Sequence, residues 1–259
     1  MDLGIAGRKA IVCASSRGIG RGCAEALAGA GCTVVVNGLD AERVARVAGE
    51  IAEASGATVV PVAADVSTRE GQERILAACP EPDILVNNNA GPPFRDFRTL
   101  DREAMLAGVA QNMVTPIELI QAVIDGMATR RFGRIVNVTS LSVLMPIPGL
   151  DLSSGARAGL TAFLAGVARG VASSNVTINN LLPGKIDTDR QRAGMNWLAE
   201  RSGRTLTEVE ADQLKAIPAG RLGTPAEFGA LCAFLCSVHA GYLTGQNIPV
   251  DGGLYTSAF

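Results

Sequence analysis

Seven short segments rich in β-branched residues alternate with helical stretches along the whole chain, and this alternation limits the fold more than any other feature. Apolar runs of this length, bounded by turn residues, are typical of strands buried on both faces of a parallel sheet. The crossover helices between them predict a doubly wound α/β sheet with its ligands at the carboxyl ends of the strands. The predicted strands are KAIVCA, TVVVN, TVVPVAA, DILVN, RIVNVTS, VTINNLLP and QNIPVDGG.

The composition indicates one domain and a small ligand. With 259 residues, 47% of them hydrophobic and 19% charged, the chain is expected to form a single domain over residues 1–259. The net charge is −2 and the basic residues are scattered, so neither nucleic acid nor a membrane is expected as a partner. The N-terminus lacks a targeting pattern and no run reaches the roughly 18 apolar residues of a membrane span, so a cytoplasmic location is expected.

The cysteine and histidine content argues against metal and triad chemistry. The six cysteines form no C-x-x-C pair, and Cys13 and Cys32 lie in apolar runs, so reduced core thiols are predicted. With His239 as its single histidine, the chain has too few supporting residues for a histidine-based metal site or a serine–histidine triad. We therefore predict no metal, and a surface position for His239 near a helix end.

Three helix starts and one insertion can be predicted. Asp40 is expected to cap a helix, and Ser67 with Glu70 and Thr224 with Glu227 have the spacing of capping boxes. Residues 187–217 are polar and charged without regular periodicity, which favours an insertion over the sheet that acts as a substrate lid. We expect this insertion and the loop 92–99 to shape the substrate pocket.

The first predicted strand runs into the glycine-containing stretch CASSRGIGRGCAEAL. Gly18 and Gly20 precede a helix whose free N–H groups can hold a pyrophosphate, and glycine lets the backbone approach that ligand. Glycine pairs at strand-to-helix turns also serve helix packing, so this motif alone leaves both interpretations open.

Six ordered motifs give the chain a family resemblance. They are ASSRGIG, AADVS, NNNAG, GRIVNVTS, LLPGKIDT and GRLGTPAEF…YLTGQNIPVDGG, in the order and at nearly the spacings of the classical short-chain dehydrogenase/reductases. The chain most resembles the 3-oxoacyl-carrier-protein-reductase-like subgroup over essentially its whole length. This resemblance implies a Rossmann-type sheet and an NAD(P)-dependent oxidoreductase that transfers hydride between nicotinamide and a carbonyl or hydroxyl substrate.

The resemblance also implies where the cofactor binds. Ala14 replaces the first glycine of the family's turn, and the extra asparagine in 87–89 leaves the register there uncertain by one residue. Asp65 falls where the family contacts adenine, and Pro183 begins the loop at the nicotinamide end. The implied cofactor-binding residues are Ala14, Ser16, Arg17, Gly18, Ile19, Gly20, Asn37, Asp65, Val66, Asn89, Ala90, Gly91, Arg157, Pro183, Gly184, Ile186 and Thr188.

The second strand predicts the choice of cofactor. An acidic residue at its end usually bonds the ribose 2′-OH of NAD, whereas NADP sites offer a basic residue to the 2′-phosphate. Here the strand ends in Asn37, Gly38 and Leu39 without an acid, and Arg17 is a candidate phosphate partner. NADP is therefore predicted, with NAD still possible.

The catalytic residues depart from the family pattern. The resemblance implies that Ser140 hydrogen-bonds the substrate carbonyl and that Asn112 holds a water in the proton relay. The family's catalytic tyrosine and lysine fall on Ser153 and Arg157. Serine is a weaker and shorter acid than tyrosine, while arginine keeps the charge but stays protonated, so a slow reductase is expected.

Other proton sources and other functions remain open. Asp151, Lys185, Tyr255 or a water held by Asn112 and Ser140 could supply the proton. The chain could instead bind dinucleotide without turnover, as a sensor or partner subunit, or act as a non-redox enzyme on this fold. Helices 115–130 and 154–173 correspond to those that pair subunits in the family, so a homodimer or homotetramer is expected.

Overall fold

One parallel sheet organises the molecule. The computed structural model describes residues 1–257, and its seven strands lie in the order β3-β2-β1-β4-β5-β6-β7. All neighbouring pairs are parallel, so the predicted doubly wound α/β sheet is confirmed. The strands are β1 Lys9–Val12, β2 Thr33–Gly38, β3 Val59–Ala63, β4 Ile84–Asn87, β5 Gly133–Val138, β6 Val176–Pro183 and β7 Asn247–Val250.

Helices cover both faces of the sheet. Strand side chains alternate between two apolar cores: Val12 packs with α1, α2 and α9 on one face, and Ile11 packs with α3, α5 and α6 on the other. The order of the strands reverses between β1 and β4, which makes a crevice at their carboxyl ends. The helices are α1 Gly18–Gly29, α2 Ala41–Ser55, α3 Arg69–Ala78, α4 Arg102–Val109, α5 Thr115–Thr129, α6 Asp151–Val171, α7 Asp189–Ser202, α8 Leu206–Ala216 and α9 Pro225–Leu235.

Two of the three predicted helix starts are confirmed. Asp40 accepts a hydrogen bond from the backbone N of Arg43, and Thr224 forms a reciprocal capping box with Glu227. The capping box at Ser67 is wrong, because α3 begins one residue later with Thr68 as its cap. The Asp65 carboxylate already accepts from both the backbone N and the Oγ of Ser67, at 2.9 and 2.6 Å, so that hydroxyl is held in the preceding turn.

The segment 187–217 is more regular than its sequence indicates. It forms α7 and α8, which meet through a small buried cluster of Met195, Ala199 and Val209. Among the described core clusters, this is the only one that the two helices share with each other. Few positions of the segment therefore need an apolar residue, and its helical periodicity is weak. The role of the segment as a substrate lid stays a prediction.

The cysteines and the histidine lie where the sequence places them. All six cysteines are free and buried, as predicted. His239 is exposed, and its Nε2 lies 2.8 Å from the carbonyl oxygen of Asp2. Across residues 1–257, no helix has the length and apolar character needed to span a membrane.

Two glycines let α1 and α9 pack backbone against backbone. A Cβ on Gly229 would overlap the carbonyl of Gly22, and a Cβ on Gly22 would overlap the carbonyl of Pro225. This contact holds the helix that follows the glycine turn against the rest of the domain.

The first prediction tests this contact. We expect Gly229→Ala to lower the free energy of unfolding by about 1–3 kcal/mol, because the added methyl meets backbone that cannot move aside. Gly49→Ala in α2 is the matched control: nothing lies within 4 Å of its Cβ position, so it should raise stability by roughly 0.5–1 kcal/mol. Chemical denaturation measures both, and equal stability of the two variants would contradict the contact.

Candidate active site

The glycine turn connects β1 to α1 at the switch point of the sheet. Arg17 precedes α1 with extended backbone and makes no side-chain cap, so the first N–H groups of the helix have no side-chain acceptor. A Cβ on Gly20 would overlap the carbonyl of Ala14 and lie 2.7 Å from Nδ2 of Asn88. Only glycine fits this position, and the free N–H groups can take an anion such as a pyrophosphate.

The turn adopts unusual backbone at two positions. Gly18 has a φ of 54° and lies next to Thr188, since a Cβ there would be 3.3 Å from the Thr188 Cγ2. Ala14, which replaces the family's first glycine, has a φ of 44°. That left-handed conformation costs an alanine about 1–2 kcal/mol, a cost that the glycine usual in the family would avoid.

Asn37, in β2, hydrogen-bonds the glycine turn through its side chain. Its side chain is 1% exposed, its Oδ1 accepts from the backbone N of Ala14 at 3.1 Å, and its Nδ2 donates to the carbonyls of Val62 and Ala64. Each of these bonds ties β2 to a neighbouring segment. The structure thus gives Asn37 a structural role, and its direct contact with a cofactor stays a prediction.

The three consecutive asparagines after β4 point in different directions. Asn87 donates to Oδ1 of Asn137 within the sheet, Asn88 donates to the carbonyl of Ala14 in the glycine turn, and Asn89 donates to the carbonyl of Gln111. The segment therefore joins β4 to the turn and to the helical region after α4. The remaining implied positions lie around it, with Asp65 exposed, Val66 buried, Ala90 exposed and Gly91 half-buried.

The loop after β6 completes the rim of the crevice. Gly184 donates from its backbone N to the carbonyl of Val250, and buried Ile186 pairs with Gly223. Thr188 caps α7 by accepting from the backbone N of Gln191 at 3.3 Å. Pro183 ends β6, so this loop leaves the sheet directly at its carboxyl edge.

Asn112 lies in an irregular turn between two helices. Residues Ala110–Val114 form a single π-helical turn, a feature often found at functional sites. Asn112 is 2% exposed, and its Nδ2 donates to the carbonyl of Gly108 at 3.2 Å, but its Oδ1 has no partner among the described residues. An unpartnered buried acceptor costs about 1–3 kcal/mol, which indicates that it serves a ligand or a water.

A second unpartnered acceptor opens into the same small cavity. Asn87 Oδ1 is also buried without a partner among the described residues, and both asparagines line a cavity of about 20 Å³. That volume is enough for one water. Cys13 lines the cavity too, and burial raises the pKa of its thiol to about 12, so it is present as a neutral thiol.

A ladder of side-chain amides, which sequence reasoning missed, crosses four strands at this level. Asn87 donates to Asn137 at 2.9 Å, Asn137 to Asn180 at 3.0 Å, and Asn180 to Asn247 at 2.8 Å. The four residues are in register on β4 to β7. Asparagine at the same position of successive predicted strands is the signal that could have revealed it.

Arg157 joins α6 to the ends of two strands. Its Nε donates to Oγ of Ser153 at 3.2 Å, its Nη1 to the carbonyl of Val138 at 2.6 Å, and its Nη2 to the carbonyl of Asn89 at 3.4 Å. Burial, and after it the positive charge of Arg190, lower the pKa of the guanidinium to about 10. The group stays cationic at neutral pH. Because Ser153 Oγ accepts this bond, its own hydrogen is left for another acceptor.

Ser140 lies two residues after the end of β5, with Thr139 between them. Its backbone is extended and its Oγ accepts from the backbone N of Ser142 at 3.1 Å, so its hydroxyl hydrogen is also available. Arg157 bonds Ser153 and also the carbonyl of Val138, two residues before Ser140, so one guanidinium joins the segments that carry the two serines.

Asp151, Lys185 and Tyr255, the other candidate proton sources, have no described hydrogen bond to the two serines. Asp151 is exposed in the first turn of α6, and Tyr255 donates from its backbone N to the carboxylate of Asp251 at 2.7 Å. Burial lowers the pKa of the Lys185 ammonium. No hydrogen bond described for residues 1–257 joins any of the three to Ser140 or Ser153.

Contacts between α7 and the loop 92–99, which the sequence does not show, close one side of the crevice. Arg190 donates to the carbonyls of Gly91 and Pro92, and Arg201 donates to the carboxylate of Asp96 at 2.7 Å. Phe94 stacks against Trp197 with ring centroids 5.7 Å apart. The loop also borders a cavity of about 390 Å³, with lining residues that include Pro92, Pro93, Arg95, Leu100, Gln111 and Leu152.

The sheet, its switch point and the glycine turn define a dinucleotide-binding α/β protein. A family model described as enoyl-(acyl carrier protein) reductase matches residues 13–255. The chain belongs to the short-chain dehydrogenase/reductase family, an assignment that confirms the resemblance read from its motifs.

Similar proteins agree with this assignment along the whole chain. The 3-oxoacyl-[acyl-carrier-protein] reductase FabG of Vibrio harveyi is 34% identical, covering 98% of this chain and 99% of the relative. L-sorbose reductase from Gluconobacter frateurii, solved with NADPH and L-sorbose, superimposes with a TM-score of 0.92 at 27% identity over 99% of this chain and 100% of that one. YwfH, an NADPH-dependent reductase involved in bacilysin biosynthesis, gives 0.90 at 30% identity, with 97% and 100% covered.

The second prediction tests the glycine turn as the dinucleotide site. We expect Gly20→Ala to raise the dissociation constant for NADPH at least about tenfold, because the methyl forces the turn away from Ala14 and Asn88. Gly29→Ala, at the other end of α1, has open space at its Cβ position and serves as the control. Fluorescence titration of NADPH measures both, and unchanged binding by Gly20→Ala would exclude the turn as the binding site.

Proposed function

We propose that the protein is an NADP-dependent carbonyl reductase or alcohol dehydrogenase with an atypical proton donor. The bond network of Arg157 carries this proposal: one buried cation links the helix with Ser153, the strand end before Ser140 and the segment after β4. A nicotinamide cofactor, when bound, supplies or accepts the hydride. The 3-oxoacyl reductases among the relatives favour a small carbonyl or alcohol substrate.

The residues present fit such a cofactor. The turn at Gly20 leaves room for no side chain, and the first turn of α1 has N–H groups that no side chain caps. Asp65 and Val66 are assigned to the adenine end, Asn89 to Gly91 to the adenosine ribose, and Pro183 to Thr188 to the nicotinamide end. Arg157 uses three of its five N–H groups in the described bonds, so one of the remaining two can bond a ribose hydroxyl.

Each polar residue of the cluster is assigned one task in the reaction. Ser140 donates its hydroxyl hydrogen to the substrate oxygen, and Asn112 holds a water in the small cavity. Ser153 donates a proton to the oxygen as it becomes an alkoxide, and Arg157 stabilises the oxygen left on Ser153. Serine is shorter than tyrosine by a ring, so it reaches the substrate at closer approach or through one water.

The end of β2 and Arg17 support NADP. Leu39 and Asp40 follow the strand. The carboxylate of Asp40 caps α2 by accepting from the backbone N of Arg43, so the end of β2 offers no free carboxylate to a ribose 2′-OH. Arg17 is exposed and its ion pair with Asp189, at 3.4 Å, is loose. Such an exposed pair is worth at most about 1 kcal/mol and can exchange its partner for a phosphate.

Assembly as a homodimer or homotetramer is part of the proposal. The helices assigned to subunit pairing, α5 and α6, are flanked by large apolar side chains that face solvent in the single chain. Phe163, in α6, is 49% exposed, and Leu106, in α4, is 59% exposed. Met105 in α4 and Val114, directly before α5, are exposed as well. Burial of these side chains against a second copy would remove them from water.

We also place the enzyme in the cytoplasm. Its six thiols are free, which suits a reducing compartment.

The third prediction tests turnover and cofactor choice together. The purified protein should bind NADPH more tightly than NADH, and should oxidise NADPH with at least one member of a panel of ketones, aldehydes and 3-oxoacyl thioesters. Absorbance at 340 nm follows oxidation, and a separate titration gives both dissociation constants. Tight binding without any oxidation would instead assign a sensor or partner-subunit role, and absence of dinucleotide binding would leave a non-redox enzyme.

The fourth prediction tests the proton donor. Restoring both family residues in Ser153→Tyr/Arg157→Lys should raise kcat by about 10²–10⁴, because a positioned general acid contributes that factor. Ser154→Tyr is the control: its hydroxyl bonds the carbonyl of Leu150 rather than Arg157, so a tyrosine there should bring no gain. A double variant no faster than the parent would show that Ser153 does not occupy the acid position.

A further inference from the structure

Two guanidinium groups converge on one short segment of the crevice. Arg157 donates to the carbonyl of Asn89 at 3.4 Å, and Arg190 donates to the carbonyls of Gly91 and Pro92 at 3.0 and 2.9 Å. They are close enough for the charge of Arg190 to lower the pKa of Arg157, after the larger effect of burial. Two like charges thus face one region at the carboxyl end of β4.

No acidic side chain offsets this pair. Among residues 1–257, neither Arg157 nor Arg190 forms an ion pair, and both bond only neutral oxygen atoms. Asp187 pairs with Arg192 and Asp189 with Arg17, and neither carboxylate has a described bond to Arg157 or Arg190. Arg157 is only 8% exposed, and a charge held away from water is costly unless an opposite charge meets it.

Both cations keep donors for a ligand. A guanidinium has five N–H groups; Arg157 uses three in the described bonds and Arg190 uses two. Two guanidinium groups with spare donors match the planar oxygen pair of a carboxylate or the oxygens of a phosphate.

Arg190, in α7, contacts the loop 92–99 and forms a wall with aromatic side chains. Its guanidinium lies 5.5 Å from the ring centroid of Phe94, which stacks on Trp197. Trp197 in turn contacts Gly149, because a Cβ there would be 2.7 Å from its Cη2. Gly149 lies just before α6, so the wall runs from Arg190 through two aromatic rings to the helix that carries Ser153 and Arg157.

We propose that Arg157 and Arg190 together receive the carboxylate of a substrate whose carbonyl group is the one reduced, so that the substrate class is oxo carboxylates. This inference rests on the proposed reductase function. A carboxylate placed between the two guanidinium groups offsets both charges, and the aromatic pair covers the carbon skeleton next to it. The phosphates of the dinucleotide offer the same anionic chemistry, and the experiment below separates the two sources.

The fifth prediction compares a 3-oxo carboxylate with its methyl ester, which keeps the carbonyl but loses the charge. With saturating NADPH, kcat/KM should favour the carboxylate by about tenfold or more, as expected of charge-assisted hydrogen bonds. Arg190→Gln should bring this ratio close to one, and Arg190→Lys should keep most of it. Arg192→Gln, on the same helix but paired with Asp187, is the control and should keep the full ratio.

Three results would overturn the inference. They are an ester reduced as well as the carboxylate by the parent protein, a ratio that survives Arg190→Gln, and an Arg190→Gln variant whose only change is a weaker NADPH dissociation constant. The last result would assign the anion site to the cofactor phosphates. Arg190→Lys tests whether the ratio falls in Arg190→Gln through loss of charge or through loss of the loop contacts, because lysine retains a cation at the same place.

A binding measurement separates this inference from the proposed function. Trp197, the single tryptophan of the chain, lies in the proposed wall and reports directly on it. Titrating a 3-hydroxy carboxylate into the protein with NADP should change its fluorescence, and the matching hydroxy ester should bind at least about tenfold more weakly. Carboxylate-selective binding without turnover would defeat the reductase proposal alone, whereas turnover of esters and carboxylates alike would defeat the carboxylate site alone.

Discussion

The parallel hydrogen-bond ladder between β1, β4 and β5 is the constraint on which the rest of the structure depends. Since all strands run the same way, every strand ends at one edge, and the turn, the asparagine segment and Ser140 meet there. The same register aligns Asn87, Asn137 and Asn180, so the amide ladder is a direct result of strand pairing. A slip of one residue would break the ladder and turn these side chains to the opposite face of the sheet.

The buried arginine changes how the departure from the family can be understood. From the sequence, Arg157 could only keep a charge, and Ser153 was too weak an acid to replace a phenol. In the structure the two side chains are bonded, four residues apart on α6, and burial brings the pKa of Arg157 down to about 10. In the proposed reaction the protonated guanidinium, which donates its Nε–H to the serine oxygen, would stabilise the serine alkoxide. We therefore assign the acid role to the two side chains together, as a weaker acid than tyrosine with lysine.

The fold was predictable because its signals are local. Each strand is a short β-branched run between turn residues, and the caps at Asp40 and Thr224 need only neighbouring residues to be recognised. The errors occur where tertiary contacts decide. Ser67 bonds Asp65 instead of capping α3, and the helices of 187–217 depend on a three-residue cluster that brings α7 and α8 together.

The motifs predict the residue types of the candidate site but not the contacts between them. They point to Ser140, Asn112 and Arg157, whose catalytic roles stay predictions, yet nothing local shows that Asn37 hydrogen-bonds the glycine turn. Arg190 was missed for the same reason: it lies outside every motif, and its contacts with Gly91 and Pro92 span roughly a hundred positions of sequence. Long-range hydrogen bonds leave no periodic trace in the sequence.

The two substitutions on α6 make physical sense only together. A serine is shorter than a tyrosine by a ring, and a lysine four residues later has no Nε–H partway along its side chain to bond the serine oxygen. The arginine reaches the carbonyl of Val138 with its Nη1 and holds Ser153 through its Nε. Changing only Ser153 to tyrosine, or only Arg157 to lysine, would break the Ser153–Arg157 bond without restoring the tyrosine–lysine pair of the family. The serine–arginine bond is thus the unit to which we assign the proposed acid function, and the strand end that the same guanidinium holds makes that bond part of the fold.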